Sequence, residues 1–117
     1  MRTYQKGARW ERELLRYLNH KGFSVVRVSA SGNQLYPLDV LALKPGLTLA
    51  IECKSSQKQL FKKEQVKKLI EWAERAGAIP ILAWKQGRRW LFLPAKSWSA
   101  GSREWMELKD LLIALMI

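Results

Sequence analysis

Residues 38–54 read LDVLALKPGLTLAIECK, and this stretch decides the fold. Two apolar runs, 38–44 and 48–54, flank a Pro45-Gly46 turn, which is the pattern of an antiparallel hairpin. The first run is apolar at both alternating sets of positions, so it belongs in the interior of a sheet that helices cover on both sides. The stretch therefore predicts two adjoining strands in the core of an α/β protein.

Helices and strands are predicted on both sides of this hairpin. Upstream we expect a helix over 3–19, a strand over 23–28 and a polar loop over 29–34. Downstream we expect a helix over 62–76 that stops at Gly77, and then two strands, over 79–85 and 90–93, joined by a turn at 86–88. A short helix over 108–116 follows. Strand 79–85 is also apolar on both faces, so it too should lie centrally. The order α-β-β-β-α-β-β-α, without a repeat or a linker, predicts one α/β domain over residues 1–117.

The charge balance indicates the class of partner. The 117 residues include 21 Lys and Arg against 10 Asp and Glu, which gives a formal net charge of +11. Nucleic acid is the favoured partner, because basic surfaces bind its phosphates; a basic protein without such a partner, or one attracted to anionic membranes, is the alternative.

The N-terminus lacks a signal-peptide core and no apolar run approaches 18 residues, so we expect no membrane span. A cytoplasmic location follows, or the host cytoplasm if the source is viral.

The metal chemistry is limited by a single cysteine and a single histidine, Cys53 and His20. An intramolecular disulfide and a zinc site of Cys and His ligands are both excluded, so any metal must bind carboxylates. We expect no small-molecule cofactor.

Three polar residues of the hairpin can form such a site. Alternation puts Glu52 and Lys54 on one face of their strand, and Asp39 opens the partner strand, so two carboxylates and a lysine can converge. Mg²⁺ takes oxygen ligands, and the backbone carbonyl of Cys53 can add one more. Metal-assisted phosphodiester hydrolysis needs this set of groups. The alternative is a solvated charged strand face, but an unpaired Asp39 would be costly in an otherwise apolar strand.

Glu11 is the second anomaly of the sequence. At 100° per residue it falls within the apolar stripe of the first helix, between Leu18 and Leu15, while arginines occupy the opposite side. A buried carboxylate needs a partner or a metal. Glu11 is therefore a fourth acidic group directed at the site, or one half of a structural salt bridge with a buried Lys or Arg.

Further basic and polar residues are candidates for DNA contact. The second helix carries Lys63 and Lys67 on its polar faces and Gln65 near its start, where the amide can contact a phosphate or merely satisfy local backbone. Arg27 leaves its strand beside the polar loop and can pair with a phosphate. Of the six tryptophans, we expect most to lie in the core and some to join Phe61 and the apolar C-terminus in a dimer interface.

Taken together, four motifs in this order resemble the archaeal-type Holliday-junction resolvases. They are Lys6-Gly7-x3-Glu11-Arg12-Glu13-Leu14, Gly22-Phe23-x-Val25-Val26-Arg27, Asp39-Val40-Leu41-Ala42 and Ile51-Glu52-Cys53-Lys54, and Gly77-x-Ile79-Pro80 extends the likeness. The family belongs to the restriction-endonuclease-like superfamily with PD-(D/E)xK sites. The resemblance implies a central mixed five-stranded sheet flanked by helices.

The resemblance also implies a function and roles for residues. It implies a homodimer with two Mg²⁺-dependent sites, in which Mn²⁺ substitutes, that resolves four-way DNA junctions by paired symmetric nicks. Asp39, Glu52 and the Cys53 carbonyl would bind the metal, with Glu11 as a possible further ligand. Together with Lys54, the three carboxylates match the catalytic set. The resemblance adds Arg12, Arg27 and a loop serine, Ser29 or Ser31, as DNA-contacting residues.

The sequence departs from the family at two places. Leu38 separates Pro37 from Asp39, where the family motif has Pro and Asp adjacent, and the chain from Gln86 onward matches only loosely. Two alternatives stay open: another PD-(D/E)xK nuclease that cuts duplex DNA in repair or restriction, and a non-catalytic DNA-binding module. The short chain disfavours restriction, because it has no segment left to read bases in a groove. Retention of all four polar site residues disfavours the module.

Overall fold

The computed structural model describes residues 2–29, 35–55 and 61–116. The elements are α1 (Arg2–His20), β1 (Ser24–Arg27), β2 (Val40–Lys44), β3 (Leu47–Ser55), α2 (Lys63–Ala76), β4 (Ile79–Gln86), β5 (Arg89–Pro94), the 3₁₀ helix η1 (Ala95–Ser97) and α3 (Leu108–Leu115). Apart from η1, they follow the predicted order. The predicted polar loop lies, after Ser29, outside the described residues up to Gln34.

The five strands form one sheet in the order β1-β2-β3-β4-β5. The β2–β3 and β4–β5 pairs are antiparallel, as the two turns predict, and β3 pairs with β4 in parallel across the α2 connection. The sheet is therefore mixed and five-stranded. The two strands predicted to be central, β2 and β4, are both interior, but β3 lies in the middle between them. It pairs with β2 on one side and with β4 on the other, so it is buried on both faces from Leu49 to Cys53.

Two glycines set the boundaries of the elements that carry the site. Gly46, at φ +75°, closes the turn between β2 and β3, and Gly77, at φ +73°, caps the C-terminus of α2. A residue with a Cβ adopts this left-handed backbone only at a cost. Both positions were predicted as turn or stop signals, and the structure confirms them.

Alternation along the strands divides the core between the two faces of the sheet. One face packs against α1 and α3, and its buried residues include Leu14, Leu18, Val40, Ile51, Cys53, Ile81, Phe92 and Leu111. The other face packs against α2, and its buried residues include Leu38, Ala50, Phe61, Leu69, Ala73 and Leu82. Glu52 and Lys54 alternate with Cys53, so they belong to the α2 face.

All six tryptophans are buried or half-buried. Trp105 stacks on Phe61 at 5.7 Å and meets the edge of Trp84 at 5.3 Å, so segment 95–106 is held against the α2 face. Aromatic pairs at these separations add to the stability from burial alone. Within the described residues, no helix has both the length and the apolar content to cross a membrane.

Candidate active site

Asp39 is fixed by backbone hydrogen bonds on both sides. Its N–H donates to the Ile51 carbonyl at 2.8 Å, and its own carbonyl accepts from the Val28 N–H at 2.9 Å. Leu38, just before it, is buried in the α2-side cluster. The leucine that separates Pro37 from Asp39 is thus a core residue, and it anchors the chain where β2 is about to begin.

The side chain of Asp39 supplies the hydrogen-bond acceptor for β3 beyond the end of the β2–β3 ladder. The ladder begins at Val40, which pairs with Ile51, so no β2 strand residue lies opposite Cys53. The Cys53 N–H donates instead to Asp39 Oδ2 at 2.8 Å. In a strand, the N–H and C=O of one residue point to the same edge. The Cys53 carbonyl therefore points to the edge that carries the Asp39 carboxylate.

Glu52 is the buried carboxylate of the site. Its side chain lies on the α2 face, and the residue is only 9% exposed. Burial, together with the negative charge of Asp39, raises the pKa of Glu52 to about 7, and the Lys54 ammonium opposes that rise. Glu52 is thus close enough to both groups to sense their charges. A buried carboxylate of this kind marks a site where a positive ligand would be stabilised.

Glu11 approaches Asp39 from the other face of the sheet. Burial raises the pKa of Glu11, Asp39 raises it further, and Arg27 opposes the rise. Arg27 Nε donates to Glu11 Oε1 at 2.9 Å, and both side chains are largely buried. The structure therefore contains the salt bridge that the sequence left as an alternative, and it also brings Glu11 to Asp39. Asp39 therefore interacts electrostatically with both Glu11 and Glu52.

The donor set fits a hard cation with two protein carboxylates. Within the described ranges, no three acidic, histidine or cysteine side chains are close enough to form a ready-made metal site. Mg²⁺ does not need one, because it usually retains several waters and uses one or two carboxylates. Asp39, Glu52 and the Cys53 carbonyl can supply three oxygens. The negative charge of Asp39 raises the pKa of Glu11 and of Glu52. A bound cation would offset this repulsion between carboxylates.

The predicted DNA-contacting residues do not form one group. Arg12, Lys63 and Lys67 are exposed, on α1 and α2. Gln65 accepts a hydrogen bond from the Lys62 N–H at 3.4 Å. It therefore satisfies the backbone at the start of α2, which is the alternative to a phosphate contact that the sequence left open. Arg27 is largely buried against Glu11 rather than presented to solvent.

Of the two loop serines predicted near the site, only Ser29 lies within the described residues. Ser29 is exposed at the end of the segment that follows β1, and Ser31 lies outside the described residues.

Sequence reasoning missed one charged cluster beside the site. Lys85, on β4, is ion-paired with Glu13 and lies against Trp10 and Trp90. Its position could have been found from alternation, because Lys85 falls two residues after the buried Ala83 and four after Ile81. It therefore shares the face on which α1 packs.

A family model described as archaeal Holliday junction resolvase matches residues 2–111. The chain belongs to this family. The match covers every described element except the end of α3, and it includes all four motifs. The resemblance predicted from those motifs is confirmed.

Individual relatives agree with the family model. The crossover junction endodeoxyribonuclease Hjc of Methanocaldococcus jannaschii is 40% identical over 92 residues, covering 77% of this chain and 66% of that protein. The corresponding Hje of Saccharolobus islandicus is 38% identical over 99 residues, covering 78% and 73%. The chain thus spans slightly less than two thirds of the first relative.

A solved structure supports the fold. Hjc of Archaeoglobus fulgidus, described as a Holliday junction resolvase, superposes with a TM-score of 0.80 at 28% identity, covering 91% of this chain and 98% of that one. The predicted restriction-endonuclease-like fold is confirmed.

Proposed function

We propose that this protein is a Mg²⁺-dependent endonuclease that resolves four-way DNA junctions by paired, symmetric nicks. The observation that carries the proposal is the placement of Asp39, Glu52 and the Cys53 carbonyl at the end of the β2–β3 ladder, with Lys54 beside Glu52, in a member of the junction resolvase family. The names of the relatives supply the substrate class.

The residues of the site have separate roles in phosphodiester hydrolysis. Mg²⁺, when bound, lowers the pKa of a coordinated water and offsets charge on the phosphate. The Cys53 N–H holds the Asp39 carboxylate in one orientation. Glu52 holds a proton below about pH 7 in the metal-free protein and offers a charged oxygen above it. The Lys54 ammonium stabilises the negative charge that develops on the phosphate oxygens. Mn²⁺ should substitute, because it takes the same oxygen ligands.

Two active sites are needed to make two coordinated nicks in one junction. We therefore propose a homodimer. Two apolar side chains near the end of α3 are exposed, Ile113 at 62% and Met116, just after the helix, at 85%, which fits a surface that is covered in the assembly. Light scattering at micromolar concentration should give twice the chain mass, and a monomer that still makes symmetric nicks would contradict this part of the proposal.

The substrate panel tests the function directly. The protein is incubated with Mg²⁺ and labelled four-way junction, linear duplex and single strand of matched sequence. We expect symmetric nicks on the junction alone. Equal cleavage of duplex would indicate the other nuclease class, and tight binding without cleavage in Mg²⁺ or Mn²⁺ would indicate a non-catalytic DNA-binding module.

Junction affinity should depend steeply on salt. The net charge is +11, and Arg12, Lys63 and Lys67 are exposed and available to phosphates. If about four or more phosphates are neutralised, affinity should fall about 100-fold between about 50 and 200 mM salt. Fluorescence anisotropy in Ca²⁺ or EDTA measures this without cleavage. A flat salt response would overturn the phosphate-binding role of the basic surface.

Glu11→Gln separates the two roles of Glu11. The amide oxygen can still accept from Arg27, so we expect the free energy of unfolding to fall by no more than about 1–2 kcal/mol. Cleavage of bound junction should fall about tenfold or more, because the charge next to Asp39 is lost. Thermal melting and single-turnover rates are compared. A large melting shift with an unchanged rate would reduce Glu11 to a structural salt-bridge partner.

A further inference from the structure

Lys85 is enclosed on the α1 face of the sheet. Its ammonium is ion-paired with Glu13 and lies 5.1 Å from the ring centre of Trp10 and 5.4 Å from that of Trp90. The side chain is only 13% exposed. A cation that is ion-paired with a carboxylate and lies near two indole rings already has favourable partners. Lys85 is therefore unsuited to bind a phosphate without losing these partners.

This cluster joins three elements. Lys85 belongs to β4 and pairs across the ladder with Trp90 of β5. Trp10 and Glu13 are three residues apart on α1, so they share one side of that helix. We call Trp10, Glu13, Lys85 and Trp90 the lysine clamp. It attaches α1 to the β4–β5 side of the sheet.

A second ion pair attaches α1 to the opposite side. Glu11 bonds to Arg27 of β1, at the far edge of the sheet from β5. Glu11 and Glu13 are two residues apart, which is about 200° around a helix. The two carboxylates therefore reach in opposite directions across the sheet. Rotation of α1 about its axis would move Glu11 relative to Asp39, and the lysine clamp opposes that rotation.

We propose that the lysine clamp is a positioning device that fixes the rotation of α1 and thereby holds Glu11 against Asp39. The inference rests on the proposed function for its catalytic consequence. Lys85 is then a positioning residue, not a DNA contact. Its loss should act on the cleavage step through Glu11 and leave junction affinity nearly unchanged.

The test replaces Lys85 with methionine, which keeps the length and suits an aromatic environment. Lys44→Met is the matched control, because Lys44 also lies over an aromatic ring, Phe23 at 4.5 Å, but at the β2–β3 turn, away from Asp39. We expect Lys85→Met to lower the single-turnover rate about tenfold with junction Kd within twofold, and Lys44→Met to leave both within twofold. Lys85→Arg should restore most of the rate.

A double-mutant comparison tests whether the effect passes through Glu11. In a Glu11→Gln background, Lys85→Met should lower the rate no further. Equal losses in both backgrounds would overturn the proposal. So would a weakened Kd with an unchanged rate at saturation, which is the result for a direct DNA contact.

A readout without cleavage separates this inference from the proposed function. Hydrogen exchange of the Arg27 Nε–H, which donates to Glu11, can be followed by NMR. We expect Lys85→Met to accelerate it about tenfold and Lys44→Met to leave it within twofold. Acceleration in a protein that cuts no junction would support the clamp and refute the function. Unchanged exchange in a protein that does cut would refute the clamp alone.

Discussion

Glu52→Gln should abolish junction cleavage and, at the same time, make the protein more stable at pH 8. Cleavage should fall by about 10³-fold or more, because the substitution removes a charged oxygen from the proposed cation site. Junction binding in Ca²⁺ or EDTA should persist, since Glu52 is buried and donates nothing to phosphates.

The stability gain follows from the raised pKa of Glu52. In the folded protein this carboxyl keeps its proton up to about pH 7, whereas its ordinary pKa is 4.5. Between these values the folded state binds more protons than the unfolded state, so stability falls as pH rises through that window and stays lowered above it. Glutamine carries no such cost. The gain at pH 8 should reach up to about 3 kcal/mol in metal-free buffer.

Chemical denaturation at pH 8 and pH 4 measures this gain. The difference between Glu52→Gln and the parent protein should be large at pH 8 and close to zero at pH 4, where both forms are neutral. Glu104→Gln, an exposed carboxylate outside the site, is the control and should change neither stability nor cleavage. Equal stability of Glu52→Gln and the parent at pH 8 would contradict the raised pKa of Glu52.

Asp39→Asn should have a comparable effect on cleavage by a different route. The asparagine oxygen can still accept from the Cys53 N–H, so the end of the β2–β3 ladder should persist. The charge is lost, and cleavage should fall by about 10³-fold. The pKa of Glu52 should fall below about 7, because Asp39 is one of the two causes that raise it.

Carboxyl-detected NMR titration of Asp39→Asn measures that shift. Asp110→Asn, on the exposed side of α3, is the control and should leave the titration of Glu52 in place. If Glu52 titrates unchanged in Asp39→Asn, the two carboxylates do not share a site. Normal cleavage by Asp39→Asn would remove Asp39 from the catalytic set.

Much of the fold could be predicted from local pattern. The β2–β3 hairpin follows from two apolar runs around Pro45-Gly46, and α2 stops at Gly77 because its backbone is left-handed there. The central place of β3 was harder to predict. It depends on parallel pairing with β4 across α2, a long-range contact that alternation in either strand does not specify.

In the candidate site, too, local pattern predicts some features and long-range contacts determine the others. Glu52 and Lys54 share a face by strand geometry, and Glu11 stands out because it interrupts an apolar stripe. The partner of Glu11 could not be predicted, since Arg27 is 16 residues away and meets it only when α1 lies across the sheet. Alternation places Lys85 on the α1 face, but its partners could not be predicted, because they come from α1 and β5.

The strand-by-strand cleavage map of a fixed four-way junction tests the central claim most directly. Each of the four strands is labelled in turn, and the products formed in Mg²⁺ by the parent protein and by Asp39→Asn are compared. We predict equal nicks at symmetric positions in two strands of like polarity, giving ligatable duplexes, and no nicks by the variant. Cuts spread over all four strands, or the same nicks from Asp39→Asn, would contradict the account.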